Sequence, residues 1–408
     1  MKILILSPRL PHAHAYSGIQ MIYQRMVRLL QRGHEVGLAC YLDEEHDAPY
    51  TSQLNPDLLE VEVLSPPFLN HMLPSAFTSG RYSAPSSFFR YHSTHMNRLV
   101  GDMVARSGYD VVIAEFTAMA QCLIHNPFLP AVRKIVSCHD SPTLSSRRQM
   151  DLLDASLRWG QEWVQYRHMR LLEFGLYRRM DRVLTLTSQE RFDLLEEDPT
   201  LSISTVVPGL SHQAFHAMEE LPKEHCITIT GRFSSDQCQY GCLWFLRSVW
   251  PLLRKKDPKV KLYLVGRDPS PEMHRHAKRD NRVIVTGAVQ DLRPFLAKSR
   301  VYVCPVLTGS GVRGKILEAM AMNLPVVSTT VGAEGIPVDQ GSNAFLADAP
   351  DVMANVIDML LQDPEKRELM GKRARNAVET WFDWDTSMDG LEKVLNEVLA
   401  KHSYHNVA

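Results

Sequence analysis

The chain has 408 residues and is 45% hydrophobic, enough for two or three ordinary domains with real cores, which excludes a disordered polymer. Its 45 Lys and Arg against 46 Asp and Glu leave a formal net charge of -1, which excludes a chain-wide electrostatic footprint for nucleic acid. Seven cysteines without a tight repeating spacing read as reduced thiols of a cytoplasmic protein, with Cys238 and Cys242 as packing residues, and not as a disulfide framework.

The opening MKILILSP is too short in its apolar part for a secretory signal, and Pro8, Arg9 and Pro11 follow it without a small-residue cleavage site, so residues 2–7 read as a first strand. No run approaches the roughly 18 apolar residues of a membrane span, so contact with a bilayer is expected to be peripheral. A glycine-containing loop ends near Gly18, residues 19–31 repeat apolar side chains at helical spacing, Gly33 stops the helix, and residues 34–41 form the next strand. Strand, loop, helix and strand in that order make a βαβ unit, hence a parallel sheet covered by helices. Compact β-branched or aliphatic runs at 110–114, 134–138 and 182–186 extend the same domain.

Residues 210–224 are polar and irregular, and a new series of strands begins at 226–230. Strands at 261–265, 282–286, 301–304 and 325–328 alternate with helices at 241–255, 292–297, 314–322 and 349–361, and helices at 365–380 and 386–401 close the chain. The expected organisation is α/β: a Rossmann-like domain over 1–214, a second over 215–385, and a closing helix over 386–408 that packs back on the first. Two doubly wound domains facing across a cleft place ligands beyond the carboxyl ends of the strands, in strand-to-helix loops.

The richest such loop lies in 305–329, PVLTGSGVRGKILEAMAMNLPVVST. Gly309, Gly311 and Gly314 let backbone amides approach a ligand, the helix starting near Gly314 points its positive end at the same place, and Arg313 and Lys315 add charge. Arginine can hold two phosphate oxygens at once. Glu318 sits one helical turn further in, where a carboxylate can accept from two adjacent ribose hydroxyls. Together these groups describe a nucleoside diphosphate pocket. The same residues also allow a glycine-rich turn with a solvated basic helix start and a surface glutamate.

This stretch resembles the donor-binding signature of the retaining GT-B-fold glycosyltransferases of the group 1, family 4 type. Further marks are KILILSP with Ser17-Gly18, RGHEV at 32–36, VVPGL at 206–210, GRF at 231–233, YLVGRDP at 263–269 and VTGAVQDLRPFLAKSRVYVCP at 285–305, so the likeness spans nearly the whole chain. The resemblance implies a nucleotide sugar on the second domain and an acceptor on the first. It assigns the ribose to Glu318, the base to backbone near Val289, and the diphosphate to Arg232 with the amides of Gly311, Val312 and Arg313, with Ser310 also among the donor-binding residues. Gly18 then lets the first loop approach the phosphates from the opposite side.

The chain departs from the family pattern in three places. The first of the usual pair of glutamates is replaced by Ser310, eight positions before Glu318. The lysine expected after the Gly-Arg pair is missing from SSDQCQYG at 234–241, and Lys315 is the candidate to replace its charge. Where many relatives have a histidine after the strand ending near 114, this chain has Glu115, which can serve as a base, stabilise positive charge at the anomeric carbon, or bind acceptor hydroxyls. His139, before Asp140, ends the strand 134–138 and can bind or deprotonate an acceptor hydroxyl, or be an ordinary hydrogen-bonded loop histidine.

Asp383-Trp384-Asp385 has the form of a metal-binding D-x-D but lies between closing helices and reads as a helix start. His12-Ala13-His14 and His274-Arg275-His276 lack partners with zinc spacing, so no metal and no cofactor beyond the nucleotide-sugar co-substrate is expected. The run 147–182, rich in Arg with Trp159, Trp163, Tyr166 and Tyr177, fits either a solvated helix face or contact with the inner face of the cytoplasmic membrane near a lipid-linked acceptor.

The reading is a metal-independent retaining hexosyltransferase that moves sugar from a UDP- or GDP-sugar to a glycan, glycolipid or other acceptor in cell-surface polysaccharide or glycoconjugate assembly. The alternatives are a nucleotide-sugar epimerase or phosphorylase of the same fold, and a catalytically silent nucleotide-sugar-binding subunit.

Overall fold

The computed structural model describes residues 1–13, 15, 17–44, 47–67, 91, 93–151, 157–210, 215 and 222–403. His14, residues 152–156 of the arginine-rich run, most of the 210–224 linker and the last five residues of the closing segment lie outside the described residues. The chain divides into two compact units, Met1–Val207 with Asp385–Ala408, and Pro208–Trp384.

The first unit holds β1 (Lys2–Ser7), α1 (Ser17–Gln31), β2 (Glu35–Tyr41), β3 (Glu60–Leu64), α2 (Thr94–Ser107), β4 (Val111–Glu115), β5 (Arg133–Cys138), α3 (Pro142–Asp151), α4 (Leu157–Tyr177), β6 (Arg182–Thr185), α5 (Ser188–Glu197) and β7 (Ile203–Thr205). Its sheet runs β3-β2-β1-β4-β5-β6-β7 with every pairing parallel. Ile3, Leu4, Ile5 and Leu6 are all fully buried, which follows when helices cover both faces of a parallel sheet and explains why the strand reads as an unbroken apolar run. Successive strands build outward from β1 in one direction and from β4 in the other, so the switch point of the sheet lies between the carboxyl ends of β1 and β4.

The second unit continues with β8 (Cys226–Thr230), α6 (Asp236–Trp244), a π turn (Phe245–Val249), α7 (Trp250–Lys256), β9 (Lys261–Val265), α8 (Pro271–Arg279), β10 (Val283–Gly287), α9 (Arg293–Lys298), β11 (Val301–Cys304), α10 (Gly314–Ala321), β12 (Val326–Ser328), β13 (Phe345–Leu346), α11 (Pro350–Gln362) and α12 (Pro364–Trp381). Its parallel sheet has the order β10-β9-β8-β11-β12-β13, with the switch between β8 and β11. Helix α13 (Trp384–Ser403) ends the described chain. These are the two Rossmann-like domains of the GT-B architecture.

Local chemistry sets the ends of the elements. Ser93 accepts from the Met96 amide to start α2, Asp363 accepts from the Lys366 amide to start α12, and Pro364 fills the first helical position where no amide partner is needed. The expected helix over 241–255 begins instead at Asp236 and widens into a π turn just before Pro251, which has no amide hydrogen and whose ring would meet the carbonyl of Arg247. The edge strands β3, β7 and β13 were not expected: β7 and β13 have only 3 and 2 residues, and β3, EVEVL, interrupts its apolar residues with glutamates. On the first unit, Arg32, just past the end of α1, reaches Asp385, Asp389 and Glu392 of the closing helix, and His34 lies 2.8 Å from Glu392. Asp385 is therefore an ion-pair partner at a helix start. Among the described residues, no helix is long and apolar enough to cross a membrane.

Candidate active site

In the second unit the loop after β11 leads into α10 beside the sheet's switch point. Gly309 (φ 98°) and Gly311 (φ 82°) sit in the left-handed region, which a side chain would strain, so the loop can fold tightly over the helix start. Helix α10 begins at Gly314 with no side-chain cap; the Ile316 amide donates to the Arg313 carbonyl at 2.9 Å, and the amides of Gly314 and Lys315 before it suit water or a ligand anion. Ser310 is buried.

The two cations of the loop behave differently. Arg313 is buried and turns inward, donating to the carbonyls of Ser310, Gly311 (2.7 Å) and Thr308 (3.4 Å). The expectation that its guanidinium grips two phosphate oxygens is corrected: it braces the loop on which those amides sit. Lys315 extends toward α6, where its Nζ lies 3.0 Å from Cys238 Sγ and 3.5 Å from the Thr230 carbonyl. Burial pushes the Cys238 thiol up, but the Lys315 ammonium outweighs it and holds the thiol below its ordinary value. Burial pulls the ammonium down, and the charge on Cys238 reverses that, so Lys315 ends above its usual value.

Glu318, partly buried, lies one turn into α10. Burial raises its carboxyl to about 7 against the opposing pull of Lys315. Arg232, in the loop after β8, is exposed and bonds through Nε to Ser234 at 3.0 Å, with Asp268 3.6 Å away. Val289 packs, partly buried, with Tyr263, Val265, Leu292 and Phe295 beyond the end of β10.

In the first unit, β4 ends at Glu115 and β5 at Cys138, so Glu115 and His139 emerge on adjacent strands. Glu115 is 0% exposed and His139 8%. Glu115 accepts from Arg25 of α1 through Oε1 and lies 2.7 Å from His139 Nε2 through Oε2; Arg25, 2% exposed, also donates to Ser137 Oγ at 3.2 Å. Burial pushes the Glu115 carboxyl up, but Arg25 and then His139 outweigh it and hold the group at about 2. The expectation that Glu115 acts directly as a base or on an anomeric cation is corrected: it has no surface for a sugar, both oxygens are engaged, and its affinity for a proton is too low.

The Phe116 ring stacks on His139 with centroids 3.9 Å apart, and Phe116 holds φ at 68°, an uncommon value for an aromatic residue. Gly18 closes the other side. A Cβ there would come 2.7 Å from Phe116 Cζ and 3.4 Å from His139 Nδ1, so only glycine leaves the pair undisturbed.

Comparison with known proteins adds the family. Residues 224–363 match the family model described as Glycosyl transferases group 1. The matched residues all lie in the second unit. The chain is 21% identical over 359 residues to a 44.6 kDa uncharacterized protein in the cps region of Klebsiella pneumoniae, covering 85% of this chain and 87% of that one. Sucrose-phosphate synthase from Thermosynechococcus elongatus shares its fold with a TM-score of 0.74 at 17% identity, over 98% of this chain and 99% of the synthase. Anabaena HepE in complex with UDP-glucose shares it at a TM-score of 0.67 and 16% identity, over 97% of this chain and all of HepE.

The structure brings Ser310, Gly311, Val312, Arg313, Lys315 and Glu318 into one loop and helix start, and Gly18, Glu115 and His139 into one cluster of the other unit. Arg232 and Val289 stand beyond the ends of two other strands of the same sheet, β8 and β10. Sequence reasoning missed Arg25, Phe116 and Cys238. The only signal for Arg25 was a cation within the apolar stripe of Ile22, Met26 and Leu29, all buried.

Proposed function

We propose that the chain is a retaining, metal-independent glycosyltransferase that takes a hexosyl group from a UDP- or GDP-sugar and transfers it to a glycan or lipid-linked acceptor of a cell-surface polysaccharide or glycoconjugate. The observation that carries this reading is the pairing of an uncapped α10 start with Glu318 one turn inside the helix. The amides of residues 311–313 suit the diphosphate, Lys315 supplies charge, and the ionised Glu318 accepts from the ribose hydroxyls. HepE, of the same fold, is a protein crystallised with UDP-glucose, and the K. pneumoniae relative is a protein of the cps region. Both support the substrate class.

On the acceptor side, an ionised carboxylate only accepts, so His139 Nε2 carries the hydrogen toward Glu115, and Nδ1 is the ring atom left to meet a sugar hydroxyl. The departing diphosphate takes the proton, and inversion is avoided because attack comes from the face it leaves. The exposed stripe of α4, Trp163 (43%), Val164, Arg167, His168 and Leu171 (66%), mixes apolar and basic side chains at helical spacing and suits peripheral contact with an anionic membrane.

The deciding experiment measures nucleoside diphosphate release from a panel of UDP- and GDP-sugars by the native chain and by Glu318→Ala. Release with at least one donor, lost in the variant, is expected. Absence of nucleotide-sugar and nucleoside diphosphate binding to the folded chain would overturn the reading.

A further inference from the structure

We propose that Arg25 is a positioning residue that, through Glu115, fixes His139 as a hydrogen-bond acceptor at Nδ1. The proposal rests on the reading of His139 as a group that meets a sugar hydroxyl.

A guanidinium at 2% exposure on an otherwise apolar helix face is costly unless its charge is compensated. Arg25 meets that condition at Glu115, with Ser137 Oγ as a second acceptor. Among the described residues, the charged and polar side chains bonded to one another around His139 are Arg25 from α1, Glu115 from β4 and Ser137 from β5. Arg25 and Glu115 cancel, so a neutral imidazole is the state that leaves the buried group without net charge. Its single ring hydrogen then points at Glu115, and Nδ1 keeps its lone pair.

Without the guanidinium the carboxylate takes its compensating charge from the ring. The imidazole is then doubly protonated, and Nδ1 changes from acceptor to donor. Ring rotation is opposed because Phe116 stacks on the ring and Glu115 holds Nε2, while Gly18, having no Cβ, leaves room beside Nδ1. Arg25 therefore does not touch sugar; it sets the polarity of the group that does.

The test uses the full chain with 15N-labelled histidine, the His139 signals being identified by their loss in His139→Asn. The native chain is expected to show the Nε2–H tautomer at pH 7.5, Arg25→Met both nitrogens protonated, and Arg25→Lys mostly the native pattern. In nucleoside diphosphate release, Arg25→Met is expected to lower kcat about tenfold at neutral pH, move the acid limb of its pH profile upward by about one unit, and change the donor KM less than about twofold. Arg25→Lys should recover most of kcat. A folded Arg25→Met chain with the native ring spectrum and native pH profile overturns the proposal. If that variant does not fold, Glu115→Gln decides: an undisturbed Nε2–H tautomer in it also overturns the proposal, and a mixture of tautomers supports it. A native chain that releases nucleoside diphosphate from no donor refutes the functional reading instead, while the ring spectra still decide the role of Arg25.

Discussion

Lys315 and Cys238, 77 positions apart, form a close hydrogen-bonded pair beside the glycine loop, with Nζ donating to Sγ at 3.0 Å. The pair ties the first turn of α10 to α6 and puts a fixed cation near the uncapped amides of the helix start. Replacing Lys315 by Met should slow alkylation of Cys238 by iodoacetamide at neutral pH by about tenfold, because the thiol returns to its ordinary ionisation. Peptide mass spectrometry over time measures it. Lys315→Ala should weaken donor binding about tenfold or more, and unchanged affinity would remove Lys315 from the phosphate site.

Glu318 makes donor binding depend on pH. Its carboxyl is raised to about 7 in the free protein, chiefly by burial, and the form that accepts from both ribose hydroxyls is the ionised one. Binding should therefore release a proton below that value, and affinity should fall up to about tenfold per pH unit as pH drops from 7. Calorimetry with UDP at pH 6, 7 and 8 reads the trend. Glu318→Gln should bind more weakly with no such slope.

Arg313 supports the loop through three carbonyls, so its removal should be felt without any ligand. Arg313→Met is expected to destabilise the second unit by about 1.5–3 kcal/mol, the worth of hydrogen bonds from a charged donor. Thermal unfolding of the ligand-free chain measures this. An unchanged Tm with lost UDP affinity would instead return the guanidinium to the phosphates.

Glu115 gives the first unit an acid-sensitive element. Its folded value of about 2 lies below the ordinary 4.5, so its contribution is fully present above about 4.5 and is lost as pH falls toward 2. Glu115→Gln should have lower stability at pH 7 and a flatter loss of stability between about pH 4.5 and 2. Urea unfolding followed across that range compares the two slopes.

The exposed face of α4 predicts binding to anionic vesicles at low salt. Trp163→Ala with Leu171→Ser should remove apolar contact, and Arg167→Glu should remove the charge that stacks over Trp163 at 5.7 Å. Sedimentation with phosphatidylglycerol vesicles separates the outcomes. A native chain that stays in the supernatant at low salt removes membrane contact by this face.

Much of the architecture was legible because parallel strands buried on both faces are written as unbroken apolar runs. Lys2–Ser7, Cys226–Thr230, Lys261–Val265 and Val301–Cys304 were read with their observed bounds. Helix α2 went unread although Ser93 and Gly108, its caps, stood in plain view. The edge strands escaped for another reason: β13 is 2 residues long and owes its existence to pairing with β12, not to its own pattern.

The sequence by itself determined that the chain is parallel α/β in two units and that one glycine-rich loop runs into a helix carrying Glu318. Those features are local: apolar runs, glycine placement and one helical turn of spacing need no distant partner. Only the tertiary structure decided that Arg313 turns inward, that Lys315 meets Cys238, and that Arg25 meets Glu115 across 90 positions while His139 meets it across 24. A side chain's charge is visible in a sequence, but its partner depends on which strand ends and helix faces the folded sheet brings together, and burial then decides whether that charge can meet a ligand or is used within the protein.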